Sequence, residues 1–257
     1  MCLILFAFQA HANYPLVVAA NRDENYMRPT ATAAFWHDHP QVYGGRDLEM
    51  GGAWMGITRS GRFAAVTNYR EGAPKGTAPR SRGELVGGYL TGVVSAQPYL
   101  QSVAMHQSEY AGFSAIAGDL DALWVLSNQA NGVEAIAPGV HGLSNHLLDT
   151  PWPKVSKGKC QLESLLNVDP QLLPEELFAM LADRTVAAEN ALPNTGVGVA
   201  REKQLGPKFI AVDDRYGTRA STVVIVNKLG EVYYAERSFG VRGKFLGEVS
   251  ERFNLLA

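Results

Sequence analysis

Residues 1–24 read Met1-Cys2-Leu3-Ile4-Leu5-Phe6-Ala7-Phe8-Gln9-Ala10-His11-Ala12-Asn13-Tyr14-Pro15-Leu16-Val17-Val18-Ala19-Ala20-Asn21-Arg22-Asp23-Glu24. Two apolar runs, 2–9 and 15–21, flank the short polar stretch Ala10-His11-Ala12-Asn13-Tyr14, the pattern of a β-hairpin. The pattern recurs three times. Runs 53–58 and 62–69 flank Arg59-Ser60-Gly61, with glycine where a tight turn wants positive φ. Runs 113–118 and 122–127 flank Asp119-Leu120-Asp121, and 221–227 and 231–237 flank Lys228-Leu229-Gly230. Four hairpins predict antiparallel sheets, not strand–helix alternation.

Helical signals fall between the hairpins. Ser81-Arg82-Gly83-Glu84 is a capping box ahead of Leu85, Val86, Tyr89 and Leu90. Further helices are expected over 96–107, 155–167 and 174–189, the last opening Pro174-Glu175-Glu176 as a helix N-terminus prefers. The fold class is α+β: two stacked antiparallel sheets flanked by helices. Segments 70–83 and 190–208 are the least structured, but neither reads as a linker, so residues 1–257 are expected to form one domain.

Composition excludes several functions. With 257 residues the chain can bury about three quarters of its unfolded surface. The formal net charge of −2 supplies no positive field for nucleic acid. Cys2 and Cys160 make no disulfide framework, and no C-x-x-C motif offers a metal or covalent haem site. The apolar N-terminus lacks a basic n-region and is broken by Gln9, His11 and Asn13, so a secretory signal is not expected. No apolar run is long enough to span a membrane. The cytoplasm is the expected location.

Cys2 is the first candidate for chemistry. Loss of Met1, which a small second residue permits, would give one residue both a thiol and a free α-amine. That amine titrates at about 7.7–8.0 and could take the thiol proton itself. Asn21-Arg22-Asp23-Glu24 closes the paired strand beside it. Taken alone, this cluster reads as a solvated strand end. Beside a thiol, an Asp could hold the ammonium and an Arg could lower the thiol pKa. Strand alternation separates Arg22 from Asp23. Asn68 and Asn145, at ends of apolar strands, are either turn caps or carboxamide donors to an oxyanion. Arg219 opens another apolar strand and invites the same two readings. Arg70, Lys75, Arg80 and Arg82 make 70–83 a basic loop, either solvated or a rest for an anionic tail. Of six histidines, His37 and His39 lack metal-site spacing, while His141 and His146 flank Asn145. Gly51-Gly52-Ala53-Trp54 has no following Lys-Ser/Thr, so no phosphate loop is read there. Cys160 reads as a buried small hydrophobe.

Several of these stretches occur together in one family. Met1-Cys2, Asn21-Arg22-Asp23-Glu24, Thr67-Asn68-Tyr69, Arg82-Gly83-Glu84-Leu85, Gly142-Leu143-Ser144-Asn145 through Thr150-Pro151-Trp152, Tyr216-Gly217-Thr218-Arg219 and Glu236-Arg237-Ser238 resemble the NRDE family. This is the transport and Golgi organisation protein 2 family, and the resemblance runs from residue 1 to about 240. It implies an Ntn-hydrolase-like αββα sandwich, with a more distant similarity to choloylglycine hydrolases and penicillin acylases. In those enzymes an N-terminal Cys is the nucleophile, an Arg and an Asp support it, two Asn help form the oxyanion site, and a later Arg completes the set. Cys2, Arg22, Asp23, Asn68, Asn145 and Arg219 are the matching positions. The Arg and Asp are adjacent here but two residues apart in the hydrolases, so the pleat favours Asp23 over Arg22 beside the thiol.

The resemblance implies two functions. In the first, the protein is a haem-trafficking carrier for haem or a similar small amphipathic anion, which it passes to an apo-haemoprotein acceptor. Trp54, Tyr69 and Trp152 would wall the ligand, Arg80 and Arg82 would meet its carboxylates, and His141 or His146 would be an axial ligand. In the alternative, the protein is an N-terminal-cysteine amidohydrolase or acyltransferase working through a Cys2 thioester on an acyl-CoA or lipid-linked substrate. No metal or nucleotide cofactor is indicated. Either function expects Cys2, Asp23, Asn68 and Asn145 in one cleft.

Overall fold

The computed structural model describes residues 2–72, 78–167 and 172–256. The hairpin that opens the chain is β1 (Cys2–His11) and β2 (Tyr14–Asn25). Then come β3 (Thr30–Phe35), β4 (Val42–Asp47), β5 (Met55–Thr58) and β6 (Phe63–Asn68). Two helices, α1 (Gly83–Thr91) and α2 (Ala96–Met105), precede β7 (Phe113–Gly118), β8 (Leu123–Ser127), β9 (Val133–Ile136) and β10 (Gly139–Leu143). Helices α3 (Pro153–Leu166), α4 (Pro174–Leu181) and α5 (Val199–Leu205) lead into β11 (Tyr216–Val226), β12 (Glu231–Phe239) and β13 (Phe245–Asn254).

The strands form two antiparallel sheets, ordered β10-β1-β2-β11-β12-β13 and β3-β4-β5-β6-β7-β8-β9. Alternation along the first hairpin sorts its side chains into two cores. Ile4, Phe6, Phe8, Leu16, Val18 and Ala20 meet Met55, Ile57, Phe63 and Ile116 of the second sheet. Leu3, Leu5, Ala7, Val17 and Ala19 meet Val155, Leu162, Leu177 and Leu181 of α3 and α4. A third cluster packs α1 and α2 on the outer face of the second sheet through Leu85, Val86, Tyr89, Leu90 and Leu100. The layers therefore run helix, sheet, sheet, helix. Burying each large apolar side chain contributes roughly 2 kcal/mol, so the hairpin, apolar on both faces, anchors the middle of the molecule.

Several elements depart from the sequence reading. Helix α4 stops at Leu181, not near 189. The Leu181 carbonyl is taken by Asn21 Nδ2 at 3.0 Å. Asp183 accepts the Thr185 N–H and pairs with Lys157 and Lys208, which turns the chain away. Strands β3, β4, β9 and β13 were not anticipated. In β4, a Cβ at Gly44 would lie 2.7 Å from the Met55 carbonyl oxygen, so this glycine serves close strand approach and not a turn. Helix α5 falls within the supposedly irregular 190–208. Cys160 is exposed, because it lies on the outward face of α3. Lys75 lies outside the described residues. Among the described residues, no helix is long and apolar enough to cross a membrane.

Candidate functional site

The register of the first hairpin decides which side chain accompanies the thiol. Cys2 lies directly opposite Arg22, so the two share the face that looks toward the second sheet. A bulge between Phe8 and His11, with Gln9 at φ +48°, sets this register. The pleat therefore puts Arg22, and not the expected Asp23, on the thiol's face, although Asp23 still reaches the same cavity at the open end of the hairpin. Asn21, Arg22 and Asp23 are all buried, so the cluster is not a solvated strand end.

Each buried group has partners. Arg22 Nη1 donates to Thr30 Oγ1 at 3.3 Å, and Nη2 lies 3.8 Å from Asp47 Oδ2. Asn21 Nδ2 also donates to the Lys208 carbonyl at 2.8 Å, while its Oδ1 accepts the Ser221 hydroxyl at 2.6 Å. Asp23 Oδ1 accepts the Thr218 hydroxyl at 2.7 Å, and the Asp23 carbonyl accepts that of Tyr216 at 3.0 Å. Burial pushes the Asp23 carboxyl pKa up, opposed by the positive amino terminus and by Lys154. Burial lowers the Lys154 ammonium to about 8, and its Nζ donates to the Leu205 carbonyl at 3.1 Å. Burial likewise pushes the Cys2 thiol up, opposed by the amino terminus, the Asp23 backbone N–H and Arg22.

Cys2 opens onto a cavity of about 970 Å³. Asp23, Asn68 and Asn145 line it too, with Trp54 and Tyr69 as aromatic wall and Arg80 and Arg82 also in the lining. Asn145 sits in the left-handed region at φ +55°, which asparagine tolerates, and one Nδ2 hydrogen goes to the Asn68 carbonyl at 3.0 Å. Its second Nδ2 hydrogen can meet an oxyanion. Six arginines line the cavity, most of them neutralised. Arg28 pairs with Asp47 and Glu49, Arg70 with Glu202, and Arg80 with Glu84 and Glu109. Arg82 and Arg201 have no carboxylate within ion-pair distance among the described residues. Arg82 Nη1 donates to the Gly112 carbonyl at 3.2 Å, and burial pushes its pKa down while a negative Cys2 would raise it. The cavity therefore offers two guanidinium groups outside ion pairs, near a thiol and an aromatic wall, in a lining that also holds the carboxylates of Asp23, Glu24, Asp47, Glu49 and Glu71.

Four expected residues do not line this cavity. Arg219 Nη1 donates to the carbonyls of Asn25, Tyr26 and Arg28, tying down the chain that leaves β2. His141 is held by Asp149 Oδ2 at 2.7 Å and the Ala137 carbonyl at 2.9 Å. His146 stands behind Tyr69. Thr150 Oγ1 donates to the Leu147 carbonyl, so it accepts the proton on His146 Nδ1, and His146 Nε2 accepts the Tyr69 hydroxyl at 2.7 Å. Both nitrogens are engaged, and neither histidine is open as an axial ligand. Trp152 packs behind the wall, under Arg70 and beside His146. Sequence reasoning missed Arg28, Lys154, Arg201 and Tyr216. Arg201 lies in a stretch without clear periodicity, and nothing in Trp152-Pro153-Lys154 signals a buried amine.

Comparison with known proteins gives this geometry a context. The family model described as Transport and Golgi organisation 2 matches residues 1–240. The chain is 37% identical over 257 residues to the transport and Golgi organization protein 2 homolog of Bos taurus, covering 93% of each. It is 27% identical to transport and Golgi organization protein 2 of Drosophila melanogaster, covering 93% of this chain and 92% of that one. Among solved structures it resembles a Caenorhabditis elegans N-acylethanolamine-hydrolyzing acid amidase ortholog, with TM-score 0.50, 12% identity, and 87% of this chain and 92% of that chain covered. It also resembles penicillin V acylase from Agrobacterium tumefaciens, with TM-score 0.50, 8% identity, and 99% and 86% covered. At such identities the structural likeness carries the fold alone, which is Ntn-hydrolase-like. The chain belongs to the Transport and Golgi organisation 2 family.

Proposed function

We propose that this family member is a carrier whose Cys2 cavity holds a small amphipathic anion, with haem the ligand named by the family resemblance. The observation that carries the reading is the pairing of Arg82 and Arg201 with an aromatic wall in one cavity of about 970 Å³. That volume is at the upper end for small-molecule sites, and guanidinium groups suit carboxylates. The propionates would lie on Arg82 and Arg201, and the porphyrin face against Trp54 and Tyr69. A carrier needs a residence time short enough for delivery, in the cytoplasm to an apo-haemoprotein. With His141 and His146 engaged elsewhere, the arginines and the aromatic wall would hold the ligand without an axial histidine. Mixing haem-loaded protein with apo-myoglobin tests this: transfer within minutes supports the carrier, and haem retained over hours argues against it.

A second reading is favoured by one observation, the meeting of Cys2, Asn68 and Asn145 in the same cavity. After loss of Met1, the Cys2 amine would take the thiol proton and the thiolate would attack an amide or thioester carbonyl. Asn68 and Asn145 would donate to the oxyanion, the amine or thiol would leave, and water would release the acid. Asp23 would hold the ammonium. The two similar solved structures are, by name, an amidase and an acylase. Intact mass discriminates: the enzyme requires a chain one Met shorter, and the carrier does not.

A further inference from the structure

The sheet that carries Cys2 also has a hollow of about 370 Å³ beside α4, the side of that sheet opposite the thiol. Its wall is aromatic. Phe178 and Phe209 are buried, Phe239 meets Phe209 edge-on with ring centres 4.9 Å apart, and Phe245 closes one side. Its floor includes Ser221, whose hydroxyl is bound by Asn21. Asn21 also holds the carbonyls of Leu181 and Lys208, the chain segments that lead into Ala182 and Phe209 of the wall. The first residue of Asn21-Arg22-Asp23-Glu24 thus builds this hollow, and the second lines the Cys2 cavity.

The charges at the rim identify what would fit. Arg237 lies over Phe178 and is neutralised by Glu175 and Glu248, each at 2.6 Å, so it is wall and not ligand. Glu248 is likewise spent. Arg184 stacks on Phe209 with its guanidinium carbon 4.5 Å from the ring centre, and it has no carboxylate within ion-pair distance among the described residues. Gly243, at φ +74°, lets the backbone pack against the stacked Arg184 and Phe209: a Cβ there would lie 2.5 Å from Arg184 Nη2 and 2.7 Å from Phe209 Cε1.

We propose that this hollow is a second binding site, separate from the Cys2 cavity, for a small carboxylate with an aromatic or short acyl body. The body packs among Phe209, Phe239 and Phe245, and the carboxylate meets Arg184. Aromatic pairing supplies the packing, and a charge-assisted guanidinium contact supplies orientation.

The test is a fluorine NMR titration of the full chain with para-fluorophenylpropanoate. A saturable shift of the probe is expected, as ring currents of three phenyl rings act on it. Arg184→Gln and Phe245→Ala, both at exposed side chains, should each weaken binding about tenfold. Gly243→Val, checked for folding by circular dichroism, should abolish it. No saturable shift overturns the proposal. So does weakening by Arg82→Gln with none by Arg184→Gln, which would put the probe in the Cys2 cavity. The result does not depend on whether the Cys2 cavity binds haem.

Discussion

The β1–β2 hairpin has two ends built from similar polar residues and treated in opposite ways. At the turn end, Gln9, Ala10, Ala12 and Asn13 face water. At the open end, Asn21, Arg22 and Asp23 are buried and hydrogen-bonded. Burying an ion costs several kcal/mol before any partner is counted, and apolar side chains of similar size would often stabilise a fold better. The turn end obeys the ordinary rule. The open end departs from it where a thiol, two carboxamides and a charged cavity meet, as expected of a site kept for binding or chemistry.

Substitutions can break that contrast. Asp23→Ala should cost about 3 kcal/mol in urea unfolding, because it leaves the buried Thr218 hydroxyl without its acceptor and removes a negative charge near the Lys154 ammonium. Asn13→Ala at the turn end should stay within about 0.5 kcal/mol. Equal effects at the two ends would erase the distinction. Asn21→Ala should cost about 2 kcal/mol by stranding the Leu181 and Lys208 carbonyls. The two cysteines extend the contrast to reactivity. In chain that retains Met1, Cys2 is buried with its pKa raised, while Cys160 is exposed, so iodoacetamide should label Cys2 at least about tenfold more slowly. Faster labelling of Cys2 after Met1 removal would move the balance toward the hydrolase.

A smaller effect than either substitution at the buried end comes from an ordinary half-buried pair, His141–Asp149. Asp149 is lowered to about 2: burial alone would raise it, and the bonds from His141 and Lys159 overcome that. Its stabilisation is present above the unfolded value of about 4 and lost as pH falls toward about 2. His141 is raised by its bond to Asp149, so its contribution is full below about 6.5 and lost as pH rises through the raised value. Stability should therefore fall by about 1 kcal/mol or less from mildly acidic to alkaline pH, screening included, and His141→Gln should flatten that slope. An unchanged slope would exclude the pair as its source.

Periodicity made the sheets legible. Strands such as Leu3–Phe8 and Val223–Val226 are apolar on both faces or alternate plainly, and tight turns punctuate them. Strand β4 escaped because its glycines are placed for close strand contact and not for a turn. The membership of the site was partly legible, since Cys2, Asp23, Asn68 and Asn145 do share one cavity. The facing of Arg22 was not. A single bulge near Gln9 sets the pairing across the whole hairpin, and a one-residue slip exchanges the faces. His146 was misjudged for a similar reason: its ring position is fixed by Tyr69 and Thr150, partners that no spacing in the sequence announces.

The central claim is that the open end of the hairpin holds an amphipathic anion on arginine. Haem titration at physiological salt, comparing the wild-type chain with Arg82→Glu, tests it most directly. The account predicts a saturable one-to-one change in the Soret band for the wild type and affinity reduced by more than about tenfold in Arg82→Glu. A featureless, non-saturating spectrum, or equal affinity in the two chains, would contradict it.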